Sequence, residues 1–325
     1  MRDIQKIVAD KVLEQPKVDV GAFIEPIAAR YGDKLVGVFM YGSMLSQVTA
    51  AADSFPDFFV ITDGYAGVFD DWRHRASAYP LPPHIYHLRL DDGRHAKYNL
   101  VSLQRFRQET SRWASDIYIL GRFGKRTALV FSRDAAARRE LTGCCFSAMA
   151  NVAVWTLRGM SREFDEDEFT LACLNISYAG ETRVEAGSKV PRLYRAEAAF
   201  YDAVYPQLLR RWPDCRRLTE PTADGRYRPS GSEAERWLRR QAFEWFLTAS
   251  RVRGVLRWPK FLLTVEGWVD IILAKIERTK GIRLDPSPAA RRYPLLLGWP
   301  YFFRLLRQGA IGATRSDARI DKNTQ

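Results

Sequence analysis

The sequence predicts an α+β fold in which a mixed sheet with flanking helices is followed by a mainly helical second domain. Up to about residue 131, short runs of β-branched and aromatic residues alternate with segments of helical spacing. After Arg133 nearly every segment has helical periodicity. Strands and helices mixed in this way usually pack as a small sheet covered by helices.

Local patterns place the elements of the first part. Apolar residues at helical spacing predict helices on both sides of Pro16, up to about residue 30. The predicted elements that follow are strands at 35–43 and 55–61, a helix at 66–77, a hairpin at 85–90 and 94–102, a helix at 103–112, and strands at 117–122 and 127–131.

The later part of the chain sets the predicted domain organisation. Helical periodicity continues at 136–160, 166–180, 190–211, 231–252 and 260–278, separated by Gly, Pro and Asp breaks. We therefore expect a domain with a mixed sheet and flanking helices at 1–140, a mainly helical domain at 141–288, and a basic, aromatic C-terminal segment at 289–325 that could face a membrane.

Composition indicates anionic partners. The 325 residues carry a net charge of +12. From residue 280 to the end there are nine Lys or Arg and three Asp, so this short stretch supplies half of the excess. Basic residues interleaved with Trp299, Tyr301, Phe302 and Phe303 could bind nucleic acid or an acidic membrane, and a solvated tail with packed aromatics is the alternative.

Targeting and redox features are few. No apolar segment follows the opening Met1-Arg2-Asp3, so we expect no secretory signal. The longest apolar run, 293–303, has 11 residues, whereas a membrane span needs roughly 20. Four cysteines, of which Cys144 and Cys145 are adjacent, predict no disulfide framework and suit a reducing compartment. We expect a soluble or peripheral protein.

The first candidate site lies where the first predicted strand ends. The apolar run from Leu35 ends in Tyr41-Gly42-Ser43, and the next apolar run contains Asp57 at its entrance. Glycine lets the backbone approach a phosphate, and the Ser hydroxyl and nearby amides can donate to its oxygens. An Asp on the neighbouring strand can hold Mg²⁺ against the same phosphate. Either feature alone is also common in ordinary turns and strands.

A Gly-Ser turn followed by an Asp-led apolar strand resembles the signature of the nucleotidyltransferase superfamily. The resemblance implies a nucleotidyltransferase-like sheet. One position departs from it, because the second acid of the superfamily pattern falls at Phe59, and a phenylalanine cannot bind a metal ion.

Two further segments carry candidate phosphate-binding groups. A predicted strand with Lys97 precedes a Gly-Arg-x-Gly-Lys turn, in which Arg122 and Lys125 are three residues apart and could face one ligand. Farther on, Glu181, Arg183 and Glu185 occupy alternate residues after a Gly break. The alternative for the segment with Lys97, Arg122 and Lys125 is a surface hairpin with solvated charges. The alternative for the segment from Glu181 to Glu185 is a buried structural Glu–Arg pair.

The four histidines are close together in the sequence, but their spacing does not indicate a metal site. All four lie within 22 residues, at His74, His84, His87 and His95. Neither a His-x-x-x-His spacing nor a nearby cysteine supports zinc, so we do not predict a zinc site.

Taken in order, these motifs resemble the mitochondrial-type phosphatidate cytidylyltransferases, a family of CDP-diacylglycerol synthases. That family has a Tyr-Gly-Ser turn, an Asp-led apolar strand, a Lys-Tyr-Gly-Val-Val-like strand, a Tyr-x-x-Gly-Arg-x-x-Lys segment and a Ser-Tyr-Met-Gly-Asp-x-Arg segment. The corresponding residues here are Tyr41-Gly42-Ser43, Asp57 to Val60, Lys97 to Val101, Tyr118 to Lys125 and Ser177 to Arg183. The Asp of the last motif is replaced by Glu181, which keeps a carboxylate on a longer arm.

The resemblance implies an activity and a set of site residues. The activity is the conversion of CTP and phosphatidic acid to CDP-diacylglycerol and pyrophosphate, with Mg²⁺ as cofactor. The implied nucleotide-binding residues are Tyr41, Gly42, Ser43 and Tyr98, and the implied catalytic residues are Asp57, Lys97, Arg122 and Lys125. Asp57 and Glu181 would bind the metal ion, with Arg183 orienting Glu181 or clamping a phosphate.

A lipid substrate also predicts where the protein acts. We expect a peripheral protein on an anionic membrane surface, on the cytoplasmic face or on the matrix side if it is mitochondrial, with no stable nucleic acid partner. Two alternatives remain open: a nucleotidyltransferase that acts on another acceptor, and a non-catalytic membrane- or nucleic-acid-binding protein that retains the fold. Phe59 is the main argument for the second.

Overall fold

The computed structural model describes residues 2–45, 55–69, 72–180, 186–264, 273, 277, 283–292, 297–301 and 304. The chain divides into two compact units, Met1–Thr264 and Val265–Gln325. The predicted boundary at residue 140 falls inside a continuous helix, Ala135–Gly159. The predicted division into three functional domains stays a prediction.

The first unit contains a five-stranded mixed sheet. Its strands are β1 (Leu35–Tyr41), β2 (Asp57–Thr62), β3 (His84–Arg89), β4 (His95–Ser102) and β5 (Ala128–Ser132), in the spatial order β3-β4-β2-β1-β5. Strands β2 and β4 are parallel, and the other three neighbouring pairs are antiparallel. β1 and β2 are buried along almost their whole length, as expected for central strands made of apolar runs.

Helices cover the sheet and form the rest of the first unit. They are α1 (Arg2–Leu13), α2 (Gly21–Tyr31), α3 (Trp72–Ala78), α4 (Leu103–Glu109), α5 (Ile117–Phe123), α6 (Ala135–Gly159), α7 (Glu166–Ala179), α8 (Ala186–Ala196), α9 (Ala198–Arg211), α10 (Pro213–Leu218) and α11 (Glu233–Thr264). A two-stranded hairpin, β6 (Thr219–Pro221) and β7 (Tyr227–Pro229), lies between α10 and α11. The predicted α+β class, with a mainly helical second part, is confirmed.

The two faces of the sheet pack against different helices. Phe39 and Phe59 belong to a large core that also includes residues of α1 and α4–α7. Val38, Phe58 and Val60 belong to a smaller core on the other face, built with residues of α2. Alternate residues of a strand point to opposite faces, so the side of the sheet that a residue occupies follows from its position along the strand.

The strand predicted at 117–122 is wrong, because these residues lie in helix α5. The predicted Gly-Arg-x-Gly-Lys turn is wrong in part for the same reason. The Asp116 carboxylate caps the helix by accepting a hydrogen bond from the Tyr118 backbone N–H at 2.8 Å. Gly121 faces α7, where a Cβ would lie 2.5 Å from the Ser177 Cβ, so glycine is needed for close packing. Arg122 lies in the last turn of α5, and Lys125 follows its C-terminal cap.

The second unit is described at fewer positions. It contains α12 (Pro288–Arg292), and Arg291 forms an ion pair with Asp285 at 2.6 Å. Leu297 and Trp299 are exposed. Among the helices in the described part of the chain, none combines the length and the hydropathy that a bilayer span requires.

Candidate active site

The Gly-Ser turn and Asp57 lie next to each other. Tyr41, the last residue of β1, pairs with Asp57, the first residue of β2. Gly42 follows with φ of +91°, and a Cβ at this position would lie 3.3 Å from the Asp57 Oδ2. The Asp57 carboxylate therefore lies against the turn, and the exposed Ser43 is the next residue along it.

Lys97 is the neighbour of Asp57 on the other side. The two residues are register partners in the parallel pair of β2 and β4. Register partners on adjacent strands share a face and are separated by about 4.8 Å between strands. Three neighbouring strands thus place an aromatic ring, a carboxylate and a half-buried ammonium group side by side: Tyr41, Asp57 and Lys97.

A buried amide holds the tyrosine of this row. The Asn99 Nδ2 donates a hydrogen bond to the Tyr41 hydroxyl at 2.6 Å, and the Tyr118 hydroxyl donates to the Asn99 Oδ1 at 3.2 Å. Asn99 has no exposed surface, and its Nδ2 also approaches the Phe58 carbonyl at 3.4 Å. Because Asn99 is two residues after Lys97, it lies on the same face and fixes the ring that precedes the turn.

Two cations of the α5 region lie on aromatic faces. The Arg122 Cζ is 3.6 Å from the centroid of the Tyr118 ring and 5.9 Å from that of Tyr41, and its Nη1 donates to the Tyr118 carbonyl at 2.7 Å. The Lys125 Nζ lies 3.9 Å from the centroid of the Tyr178 ring and donates to the Ser177 hydroxyl. Aromatic faces orient cations without cancelling their charge, so both remain suited to an anion.

Helix α11 supports the start of α5 through an ion-pair cluster. The buried Asp116 carboxylate accepts hydrogen bonds from Arg253 and Arg257, each at 2.6 Å. Burial raises the pKa of Asp116, but the charges and hydrogen bonds of the two arginines outweigh burial and leave the pKa below its ordinary value. The Arg257 Cζ also lies 4.7 Å from the centroid of the Tyr118 ring, so α11 contacts the site residue directly.

The same helix holds the segment before β3. The Lys260 Nζ donates to the carbonyl oxygens of Leu81 and Pro83 at 2.7 and 3.2 Å, and the Arg257 Nε donates to that of Pro82 at 2.8 Å. Burial, with the nearby Arg257 charge, lowers the pKa of Lys260 to about 7. The site therefore depends on residues far along the chain from the motifs that suggested it.

Phe59 and Tyr98 do not have the roles that the motifs imply for their positions. Phe59 is fully buried in the core behind the site, with its ring 5.1 Å from those of Tyr41 and Phe123, so no acid is supplied there. Tyr98 lies on the opposite face of the sheet, where it stacks on Tyr86 and its hydroxyl is 3.1 Å from that of Tyr31. The structure does not bring Tyr98 together with the other predicted nucleotide-binding residues, because residues adjacent to Lys97 on β4 face the other way.

The predicted second metal ligand is not described. Glu181 and Arg183 lie outside the described residues. Within the described residues, no group of three or more His, Cys, Asp or Glu side chains is placed to hold a metal ion. Asp57 is the carboxylate that the structure places at the Gly-Ser turn.

Some residues of the site were not predicted. Asn99 and Tyr118 stand in the quoted motifs but were given no role, and Arg257 lies far from any of them. Asn99 is a polar residue two positions after Lys97 and is followed by the apolar Leu100 and Val101, and this pattern is a signal that could have identified it. Arg257 has no such signal, because its contact with Tyr118 arises only from the packing of α11.

Comparison with known proteins supports the predicted family. Residues 84–238 match the family model described as "Phosphatidate cytidylyltransferase, mitochondrial". The matched family is the one that the sequence motifs resemble. This activity agrees with the predicted function and with the predicted class of enzyme, a nucleotidyltransferase. The cytidylyltransferase match covers just under half of the chain and includes Lys97, Arg122 and Lys125, whereas Tyr41–Ser43 and Asp57 precede it.

The chain was also compared with curated proteins and with solved structures. No curated protein matches the chain at a significant level. Among solved structures, the crystal structure of a nucleotidyltransferase-like protein from Exiguobacterium sibiricum 255-15 has 13% sequence identity and a TM-score of 0.24. That match covers 88% of this chain and 90% of the other chain.

Proposed function

We propose that this chain transfers the cytidylyl group of CTP to phosphatidic acid, giving CDP-diacylglycerol and pyrophosphate. The observation that carries the proposal is the position of Asp57, whose carboxylate lies against the Gly42 turn and whose neighbour on the next strand is Lys97. A carboxylate between a turn that a phosphate can approach and a fixed cation suits phosphoryl chemistry on a nucleotide.

The reaction joins two anions. A phosphate oxygen of phosphatidic acid attacks the α-phosphorus of CTP, a new P–O bond forms, and the bond to the pyrophosphate leaving group breaks. A phosphate monoester is largely ionised near neutral pH, so the acceptor needs no base to activate it. The protein must therefore mainly neutralise charge and hold the attacking and leaving oxygens in line.

The residues that can contact phosphate groups have separate roles in this scheme. Gly42 lets the backbone approach the β- and γ-phosphates of CTP, and Ser43 donates to their oxygens. Lys97 neutralises charge beside Asp57. Arg122 and Lys125, held by the tyrosine faces, stabilise the pyrophosphate as it leaves.

Mg²⁺ is the proposed cofactor, and Asp57 would hold it. One carboxylate beside a phosphate-binding turn fits this ion, because proteins commonly bind Mg²⁺ through one or two carboxylates together with substrate phosphates. When bound, the ion would neutralise charge on those phosphates. We propose Glu181 as a second ligand and Arg183 as the residue that orients it, and both lie outside the described residues.

The lipid acceptor gives the C-terminal segment a proposed role. We propose that residues 289–325 bind an anionic membrane surface, with arginines on lipid headgroups and aromatic side chains at headgroup level. The protein would then be peripheral, on the cytoplasmic face of a membrane or on the matrix side in a mitochondrion.

The test is an assay of the product. The full-length protein is incubated with labelled CTP, Mg²⁺ and vesicles of phosphatidic acid, and a labelled product soluble in organic solvent is measured. We expect this product from the wild type and a loss of about 100-fold or more in rate for Asp57→Asn, which removes the charge at the turn. Asp63→Asn is the matched control, because Asp63 follows the other end of β2 and forms an exposed ion pair with Arg133.

Three outcomes would contradict the proposal. A wild type that makes no lipid product from CTP would exclude the activity. Equal rates for the Asp57 and Asp63 variants would remove Asp57 from the site. Label transferred from CTP or another nucleotide to an acceptor other than phosphatidic acid would favour a nucleotidyltransferase of different specificity.

A further inference from the structure

Four of the basic side chains of the β3–β4 hairpin form two register pairs. His87 pairs with Lys97, and Arg89 pairs with His95. The first pair is in line with Asp57, because Asp57 is the register partner of Lys97 on the next strand. The second pair lies two residues farther along each strand, about 7 Å away. We call these four residues the basic strip.

The basic strip shares the sheet face of Asp57. Register partners on neighbouring strands point to the same side, so Lys97 and His87 continue the row that Tyr41 and Asp57 begin. The residues between them face the other way: Tyr86 stacks on Tyr98 at 5.1 Å between ring centroids, and Leu88 packs against the core on the α2 side. The alternation of β3 therefore directs His87 and Arg89 toward the site.

The basic strip is open to a ligand. His87, Arg89 and His95 are exposed, and Lys97 is half-buried. Although His87 is exposed as a residue, its imidazole is partly buried, and this burial lowers the pKa of His87; the charges of Lys97 and His95 lower it further. An anion bound among these side chains would offset the repulsion that a protonated His87 meets from its basic neighbours.

The position of the basic strip distinguishes the two phosphate-bearing substrates. Across the sheet the order is the Gly42-Ser43 turn at β1, then Asp57 on β2, Lys97 on β4 and His87 on β3. In-line displacement requires the attacking and leaving oxygens on opposite sides of the reacting phosphorus. With the CTP phosphates at the turn, the acceptor approaches from the side of β4 and β3.

We propose that the basic strip, His87, Arg89, His95 and Lys97, binds the phosphate monoester group of the acceptor lipid. This inference rests on the proposed function and extends it by assigning the acceptor side of the site. The strip places cationic groups around a dianionic headgroup phosphate and presents that phosphate toward Asp57.

The test uses an acceptor that does not need a membrane. Dihexanoyl phosphatidic acid, kept below its critical micelle concentration, is titrated into the full-length protein by calorimetry and is also used as the substrate. The variants are His87→Gln, Arg89→Gln and the two combined, all at exposed positions. We expect each single change to raise the Kd and the KM for this acceptor about tenfold, while the KM for CTP stays unchanged.

A cation on the other face of the same hairpin provides the control. The Arg94 Cζ lies 5.5 Å from the centroid of the Phe23 ring, which belongs to the core on the α2 side. Arg94→Gln removes the same charge from the same hairpin, and we expect it to leave the Kd for the acceptor within about twofold. Thermal unfolding of all the variants checks that the fold is retained.

Other results would overturn the inference. Variants of His87 and Arg89 that bind the soluble acceptor normally, but bind vesicles of phosphatidic acid less well, would show general attraction to a membrane instead. An equal rise in the KM for CTP would assign the strip to the nucleotide. If the wild type binds dihexanoyl phosphatidic acid through the strip yet forms no product, the inference stands and the proposed function fails. If product forms and the variants leave the Kd and the KM for this acceptor unchanged, the proposed function stands and the inference fails.

Discussion

Gly42 adopts a φ of +91°, which side chains of L residues rarely accept, and a Cβ there would lie 3.3 Å from the Asp57 Oδ2. The positive φ constrains the backbone of the turn, whereas the short distance to Asp57 constrains the geometry of the site. Glycine at this position therefore both allows the turn and leaves the Asp57 carboxylate in place beside it.

Gly42→Ala should separate these two effects. We expect a loss of about 1–3 kcal/mol in the free energy of unfolding from the strained backbone. We also expect kcat/KM for CTP to fall about 100-fold, because the added methyl group displaces the carboxylate. Urea unfolding and the lipid-product assay measure the two quantities.

A matched control is available at Gly225, in the turn between β6 and β7. Its φ is +81°, and nothing lies within 4 Å of an added Cβ. Gly225→Ala should lose a similar free energy of unfolding and keep normal activity. If the two variants lost activity equally, the contact between Gly42 and Asp57 would have no part in catalysis.

At the scale of elements, the contact between α5 and α11 organises the site. Asp116 caps α5 and is itself held by Arg253 and Arg257 of α11. Arg257 also lies over the ring of Tyr118, which carries Arg122 on its face. A helix of only seven residues is marginal alone, so α5 depends on this packing for its position.

Arg257→Ala should therefore destabilise the protein strongly. The change leaves the buried Asp116 carboxylate with one arginine fewer and removes a contact to Tyr118. We expect the free energy of unfolding in urea to fall by about 3–5 kcal/mol, the usual cost of breaking a buried ion pair. Arg251→Ala is the control. Arg251 lies on α11 like Arg257, but it is exposed and donates to the carbonyl oxygen of Ala179 in α7. Its expected loss is about 1 kcal/mol or less. A loss for Arg257→Ala as small as this would mean that the ion pair is dispensable.

Elements defined by local patterns could be predicted from the sequence. The hairpin expected at 85–102 is found as His84–Arg89 and His95–Ser102, because its alternation and its Asp-Asp-Gly turn are local signals. Most of the expected Gly-Arg-x-Gly-Lys turn is helical instead. Asp116, a residue type common at helix N-caps, precedes this segment, but its capping role was not predicted. The structure shows that Gly121 permits contact with α7.

The site itself could be predicted only in part, for a geometric reason. The Gly-Ser turn, Asp57 and Lys97 are close along the chain, and strand pairing brings them together. Tyr98 was grouped with them by motif order, although a neighbour of Lys97 on a strand must face the other way. Arg257 could not be predicted, because 141 residues separate it from Asp116 and only the packing of α11 joins them.

At the scale of the whole molecule, the candidate site and the basic C-terminal segment lie in different units of the chain. Residues 1–264 form a compact unit that contains every described residue of the candidate site. Residues 290–325, which are 36 of the 325 residues, carry seven Lys or Arg and two Asp and so supply +5 of the net charge of +12. Chemistry and attachment to an anionic membrane are therefore expected to be separable.

Deletion of residues 290–325 tests this separation. Each cation near an anionic surface contributes about 1 kcal/mol to binding, so we expect binding to vesicles that contain phosphatidic acid to weaken at least about tenfold in sedimentation assays. Activity on the soluble dihexanoyl acceptor should persist, since the described site residues all precede the deletion. Arg216→Gln with Arg217→Gln removes two exposed cations of α10 and controls for general loss of charge. If vesicle binding survived the deletion at full strength, membrane attachment would have to come from residues 1–289. The basic strip, with its three exposed basic side chains, would then be the first surface to test.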